Sequence, residues 1–205
     1  VASADFFVRW SGSTYSSVGN LTGDGVFSSE VYAITIKNSN IYVGGLFTNA
    51  SGNQFADHLA RWTGEQWLAV GAVGGDGPIN CSVFAMLWVG SDLYIGGCFT
   101  DVRALPCADH VTVFNGGAFE CLGNTAGNGV LSGAVRALWN LNGNVMVGGG
   151  FQDAAGNAKA DFLATWNPQT ETWSTFGSDG TGDGAFEGTV LSFAEYQDRL
   201  YVGSP

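Results

Sequence analysis

The chain has 205 residues, 32 of them Gly, with 18 acidic and 7 basic side chains and a net charge of −11. Seven scattered cations form no stripe for neutralising phosphates or an anionic bilayer, so nucleic acid and membrane surfaces are not expected partners. No apolar run approaches ~18 residues, so no membrane insertion is expected. The opening VASADFFVRW lacks the basic and apolar segments of a signal peptide. Seven Trp, six Tyr and fourteen Phe provide enough apolar surface for a folded core.

In chain order, the first feature is an Ala-Asp dipeptide that recurs at residues 4–5, 56–57, 108–109 and 160–161, every 52 residues. A short apolar run follows each one and ends on an aromatic: Trp10, Trp62, Phe114 and Trp166. A second aromatic opens the next run: Tyr15, Trp67, Phe119 and Trp173. Gly19, Gly71, Gly123 and Gly177 close it, and a Gly-Asp/Asn-Gly turn is centred on Asp24, Asp76, Asn128 and Asp183. Two aliphatic runs complete the unit: VYAITI, VFAMLW, VRALWN and VLSFAE, then IYVGG, LYIGG, VMVGG and LYVGS. The turns NSN, GSD, NGN and QDR separate them. The fourth unit carries extra residues in WNPQTETW and GSDGTGDG.

Short runs rich in β-branched and aromatic residues, bounded by turn residues, read as strands. No stretch sustains a helical period with caps. Four strands per unit at this spacing is the arithmetic of a β-propeller blade, whose two faces are covered only by stacking on neighbours. The expectation is an all-β, single domain over 1–205, a four-bladed β-propeller with repeats 4–55, 56–107, 108–159 and 160–205. The repeat opens on its third strand and closes on its second. The N-terminal strand pair is therefore expected to complete the blade begun by the C-terminal pair, within the chain or with a neighbouring copy. Either closure removes exposed sheet edges.

The pattern V-x-A-L, LY-V-GG-x-F, A-D-x-L-A-x-W and W-x-x-x-G resembles kelch and galactose-oxidase-like propeller repeats. It is closer to the repeats of fungal cortical cell-polarity markers and bacterial surface proteins. The resemblance covers nearly the whole chain. It implies a strand order running outward through VFAMLWV, LYIGGCF, ADHVTVF and AFECLG. Gly44-Gly45, Gly96-Gly97 and Gly148-Gly149 match the kelch diglycine, and Gly203-Ser204 departs from it. The copper-ligating constellation of galactose oxidase cannot be mapped onto this chain, so no oxidase activity is carried over.

The cysteines are Cys81, Cys98, Cys107 and Cys121. Three connectivities are open. Cys98 ends one strand and Cys107 opens the next, which favours a Cys98–Cys107 bond and leaves Cys81 with Cys121. Disulfides imply an oxidising, extracellular setting. Sequons at Asn20, Asn49 and Asn80 fall in loops that can carry a glycan. No C-x-x-C occurs and His58 and His110 lie in different units, so no zinc site is expected.

The remaining polar sets read as structural. Asp5, Asp57, Asp109 and Asp161 are expected to accept backbone N–H bonds in the loop before the third strand, in preference to forming a circle of Ca²⁺ ligands. His58 and His110 take the slot of Phe6 and Phe162, which suggests a half-buried packing position. The repeated aromatics read as inter-blade packing ahead of a sugar-stacking surface. Arg136 stands on an innermost strand, solvated or paired. No catalytic residue, metal or cofactor is expected. The function read from these residues is a non-enzymatic extracellular structural or interaction module acting through itself or other surface proteins and glycans, with a carbohydrate-binding propeller as the alternative.

Overall fold

The computed structural model describes residues 6–19, 25–71, 76–123, 127–177 and 184–205. Among them the chain is all-β, built from antiparallel meanders of the propeller type. It divides into two compact units, Val1–Val83 and Phe84–Pro205.

The first unit holds β1 (Arg9–Trp10), β2 (Tyr15–Ser16), β3 (Val31–Lys37), β4 (Asn40–Gly45), β5 (Leu59–Trp62) and β6 (Trp67–Ala69). Strands β3 to β6 form one sheet in sequence order, and β1 pairs with β2 in a sheet of two strands. The second unit holds β7 (Val83–Val89), which begins one residue before it, β8 (Asp92–Gly97), β9 (Val111–Phe114) and β10 (Phe119–Glu120). It continues with β11 (Val135–Leu141), β12 (Asn144–Gly149), β13 (Leu163–Asn167), β14 (Thr172–Thr175), β15 (Ser192–Tyr196) and β16 (Arg199–Gly203). Strands β7 to β10 and β11 to β14 are complete four-stranded sheets, and β15 with β16 is a sheet of two. In each complete sheet the strands follow one another in space as the sequence orders them.

Turn chemistry fixes these meanders. Asn38-Ser39, Asn142-Gly143 and Gln197-Asp198 all have positive φ at both residues, the type I′ geometry whose twist matches a hairpin. At the outer hairpins a side chain caps the loop. Asn115 Oδ1 accepts from Gly117 and Ala118 N–H, and Asn167 Oδ1 from Gln169 and Thr170 N–H. The longer β13–β14 turn, 168–171, absorbs extra residues of the fourth repeat without disturbing the register of Trp166 opposite Trp173. The insertion around 178–183 lies outside the described residues.

The second strand of each complete sheet is buried over most of its length, and its diglycine has two separate reasons. A Cβ on Gly96 would stand 2.4 Å from Val135 Cγ1, and one on Gly148 2.4 Å from Val190 Cγ1. The first glycine therefore leaves room for a buried valine of the following repeat. A Cβ on Gly45 would meet the Glu30 carbonyl oxygen, and one on Gly149 that of Ala134. The second glycine therefore clears a backbone carbonyl beside the neighbouring strand. Beside that carbonyl the register slips by one residue between Val31 and Ala33 and between Val135 and Ala137, a bulge that turns the inner strand.

Gly148→Ala tests this packing. Val190 is fully buried and Phe193 also closes on the site, so neither neighbour can withdraw freely. The expected loss is about 2–3 kcal/mol of stability, read as a lower midpoint in urea denaturation. Unchanged stability would mean the valine contact is slack.

Candidate functional site

The Ala-Asp motif is a loop anchor. Asp57, Asp109 and Asp161 each accept, through Oδ1, the backbone N–H of the residue eight positions earlier: Asn49, Asp101 and Asp153, at 2.6–2.7 Å. Phe47, Phe99 and Phe151 are buried at the loop entrance, and Ala56, Ala108 and Ala160 at its exit. Between them runs a short 3₁₀ turn: Ala50–Gly52, Val102–Ala104 and Ala154–Gly156. The Gly-Asp/Asn-Gly turn joins the same assembly. A Cβ on Gly77, Gly129 or Gly184 would lie within 3 Å of Cβ of Asp57, Asp109 or Asp161. Two separate marks in the sequence are thus one contact, and these carboxylates act on their own backbone, as the sequence predicts. Asp5, Asp24 and Asp183 lie outside the described residues.

The residue after each Asp is left-handed: Phe6, His58, His110 and Phe162 have φ of 60–62°. His58 Nδ1 lies 3.2 Å from the Gly45 carbonyl oxygen. Both histidines are half-buried, like Phe162. Burial holds both imidazoles below their ordinary range, against the opposing pull of nearby carbonyls and of Asp57 and Asp109. Among the described residues no three His, Cys, Asp or Glu side chains gather as a metal set.

The cysteines require a correction. Cys107 bonds Cys121, with 5.5 Å between their Cα atoms, in place of the expected Cys98–Cys107 pair. Cys81 and Cys98 are also disulfide-bonded, and no cysteine is free. The expectation assumed a symmetric loop. In the structure Gly97 N–H donates to His110 C=O and His110 N–H to Phe99 C=O, which brackets Cys98 against His110. The 3₁₀ turn takes up the slack and carries Cys107 to the end of β10. Four oxidised cysteines fit an oxidising environment. Asn49 and Asn80 are exposed, and Asn20 lies outside the described residues.

The repeated aromatics divide into two groups. In complete sheets most are core: Trp67 is 6% exposed, Phe114, Phe119 and Trp166 are similarly buried, and Trp62 and Trp173 are half-buried. Trp67 Nε1 donates to the Val18 carbonyl and Trp173 Nε1 to that of Leu122, so each indole latches onto the preceding repeat. In the two-stranded sheet β1–β2 the equivalent rings face solvent. Trp10 is 53% and Tyr15 60% exposed, with ring centroids 4.6 Å apart. Tyr32, Ile34 and Ile36 are also exposed, along one face of β3. On the other two-stranded sheet Tyr196 and Tyr201 are exposed, with Leu191 beside it. Nothing in the repeat pattern marked these rings, because their residue types match those of their buried counterparts.

Two other features carry less. A cleft of about 480 Å³ in the second unit is lined by Asn128, Glu171, Thr172 and Trp173, but the Trp173 N–H is already committed to Leu122. Arg136 stands 3.9 Å over the Phe84 ring, a cation–π contact.

No protein-family model matches the chain, and no curated protein matches it. Solved structures do. The computationally designed Ika8 protein shares 17% identity over 86% of this chain and 43% of its own, with a TM-score of 0.46. The designed Ika4 protein shares 17% over 86% of both chains at 0.47, and YjhT 15% over 83% of this chain and 55% of its own at 0.49. The chain thus spans less than half of the designed Ika8 chain and just over half of YjhT. At these values the likeness carries neither a blade count nor a function.

Two measurements follow from the loop and its histidines. Ala104 is left-handed (φ 59°) where the sibling loops use Gly52 and Gly156. Ala104→Gly relieves that strain and is expected to raise stability by about 1 kcal/mol, seen as a higher melting temperature. For the histidines, the folded state prefers the neutral ring. Stability is therefore fully present above about pH 6.5 and falls as pH drops toward their lowered folded values. The double variant His58→Phe, His110→Phe is expected to flatten the slope of stability between pH 7 and 5. An unchanged slope would assign it to the carboxylates.

Proposed function

We propose that this chain is a non-enzymatic structural and interaction module that works by self-association. In this reading it is an extracellular, kelch-like propeller of four blades, a subunit of a surface, matrix or filamentous assembly, with glycans on Asn49 and Asn80. The fourth blade is split between the two half-sheets, β1–β2 and β15–β16.

One observation carries the reading: large apolar side chains lie in solvent on one face of β3 and on the two-stranded sheets. In the second unit Leu138 approaches Gly96 and Phe193 closes on Gly148. Ile34 holds the same repeat position on β3, yet is 56% exposed. Exposed contiguous apolar surface of this kind marks an interaction site. The four oxidised cysteines support the extracellular setting.

The alternative, a carbohydrate-binding propeller, has one observation in its favour: the exposed Trp10–Tyr15 pair, since exposed rings stack on sugar faces. A glycan array separates the two, because saturable binding lost on Trp10→Ala favours the sugar reading.

Self-association predicts a particle mass that grows with protein concentration in light scattering. It also predicts growth with salt, because copies carrying −11 charges repel one another until screened. Ile34→Asp places a charge on the apolar face and is expected to shift the series toward monomer at least tenfold in concentration. A single ~21 kDa species throughout would defeat the reading.

A further inference from the structure

Residues that recur in every repeat hold the sheets together, whereas departures from the repeat are free to serve a ligand. The cleft of about 480 Å³ that lies wholly within the second unit is built around two such departures. Its walls come from the loop after β10, the 3₁₀ turn Ala154–Gly156 and the β13–β14 hairpin. Its volume falls in the ~300–1,000 Å³ range of small-molecule clefts.

The first departure is an amide. The Gly-Asp-Gly triplet centred on Asp24, Asp76 and Asp183 is Gly-Asn-Gly in this repeat, and its Asn128 lines the cleft. The second is a longer outer hairpin. Four residues separate Trp62 from Trp67 and Phe114 from Phe119, but six separate Trp166 from Trp173. In the shorter hairpins a glycine takes the left-handed position: Gly12, Gly64 and Gly116, with φ of 95–101°. In the longer one Glu171 takes it, at φ 53°, and Glu171 also lines the cleft. Asn128 and Glu171 are both exposed, and neither side chain makes a hydrogen bond or ion pair to a described residue.

The other walls complete the chemistry. Thr172 adds a hydroxyl, 2.8 Å from that of Thr170. Val130, Ala155 and the half-buried Trp173 ring are apolar. The Trp173 bond to the Leu122 carbonyl and the Trp166 ring 5.5 Å away hold that indole in place, so it offers a preset apolar surface and no donor. No Lys or Arg is among the described lining residues, and an anionic ligand would meet only a carboxylate in a chain of charge −11. A cation would be better served by the Asp that the other repeats carry at the place of Asn128. The amide gives up that charge and gains N–H donors. A fixed aromatic surface, an amide that donates and accepts, and a carboxylate and hydroxyl that accept match a ligand with hydroxyls on its rim and C–H groups on its face. We propose that this cleft binds an uncharged saccharide unit, with Asn128 and Glu171 on its hydroxyls and Trp173 against its C–H face. The site shares no residue with the Trp10–Tyr15 pair and does not rest on self-association.

The probes are the methyl glycosides of glucose, galactose, mannose and N-acetylglucosamine, titrated into the 205-residue chain and followed by calorimetry and saturation-transfer NMR. The expected result is saturable binding of at least one glycoside, weakened at least tenfold by Asn128→Asp and by Glu171→Ala and unchanged by Trp10→Ala. Asn128→Asp restores the residue of the other repeats, and Glu171 is exposed. Both variants are therefore expected to melt with the parent chain, which makes the lost affinity a lost contact and not a lost fold. Binding kept in both cleft variants overturns the cleft, and its loss in Trp10→Ala would place the sugar on the β1–β2 rings. Binding of tetramethylammonium that tightens in Asn128→Asp overturns the uncharged class. No saturation by any of the glycosides even at about 50 mM overturns the proposal and leaves self-association, read separately by light scattering, standing.

Discussion

A buried valine seated on a bare glycine is the contact on which sheet stacking in the second unit depends. Val135 occupies the space above Gly96, and Val190 the space above Gly148. Sheets of this size have two apolar faces and cannot bury both alone. The glycine lets the next inner strand approach closely enough for Leu138 and Phe193 to reach the same surface. The adjacent glycine solves a different problem, since any Cβ there would strike a carbonyl oxygen of the neighbouring strand. A doublet that reads in the sequence as one motif thus answers two steric demands, one between sheets and one within a sheet.

Much of this was legible in the sequence because the repeat displays every element several times. The strand order, the turn positions and the structural role of the Ala-Asp carboxylates all follow from residues that recur at fixed spacing. The 3₁₀ turns were not legible. Asn49, Asp101 and Asp153 fill the first left-handed position, but Ser51, Arg103 and Ala155 at the second share no residue type. The burial of Ala50, Val102 and Ala154 holds the turn from below, and small or branched apolar side chains give little warning of that. The cysteine pairing was misread for the same reason. The midpoint of a loop locates its partner residues only if the loop is a simple hairpin, and this one folds back on itself.

The exposed rings show a different limit. Trp10 and Trp62 are the same residue type at the same repeat position, yet one stands in solvent and the other in a completed sheet. No local pattern distinguishes them, because exposure there depends on which strands are present alongside.

The Cys107–Cys121 bond has a mechanical consequence. It closes a loop of 14 residues around the β9–β10 hairpin, whose outer strand is only two residues long. Such a strand has too few backbone bonds to resist being peeled away. With the bond in place, a chain pulled from its ends cannot release that segment, which withholds about 45 Å of contour length. A sheet that would otherwise be among the easiest to unravel keeps its outer half shut under tension until the bond is reduced.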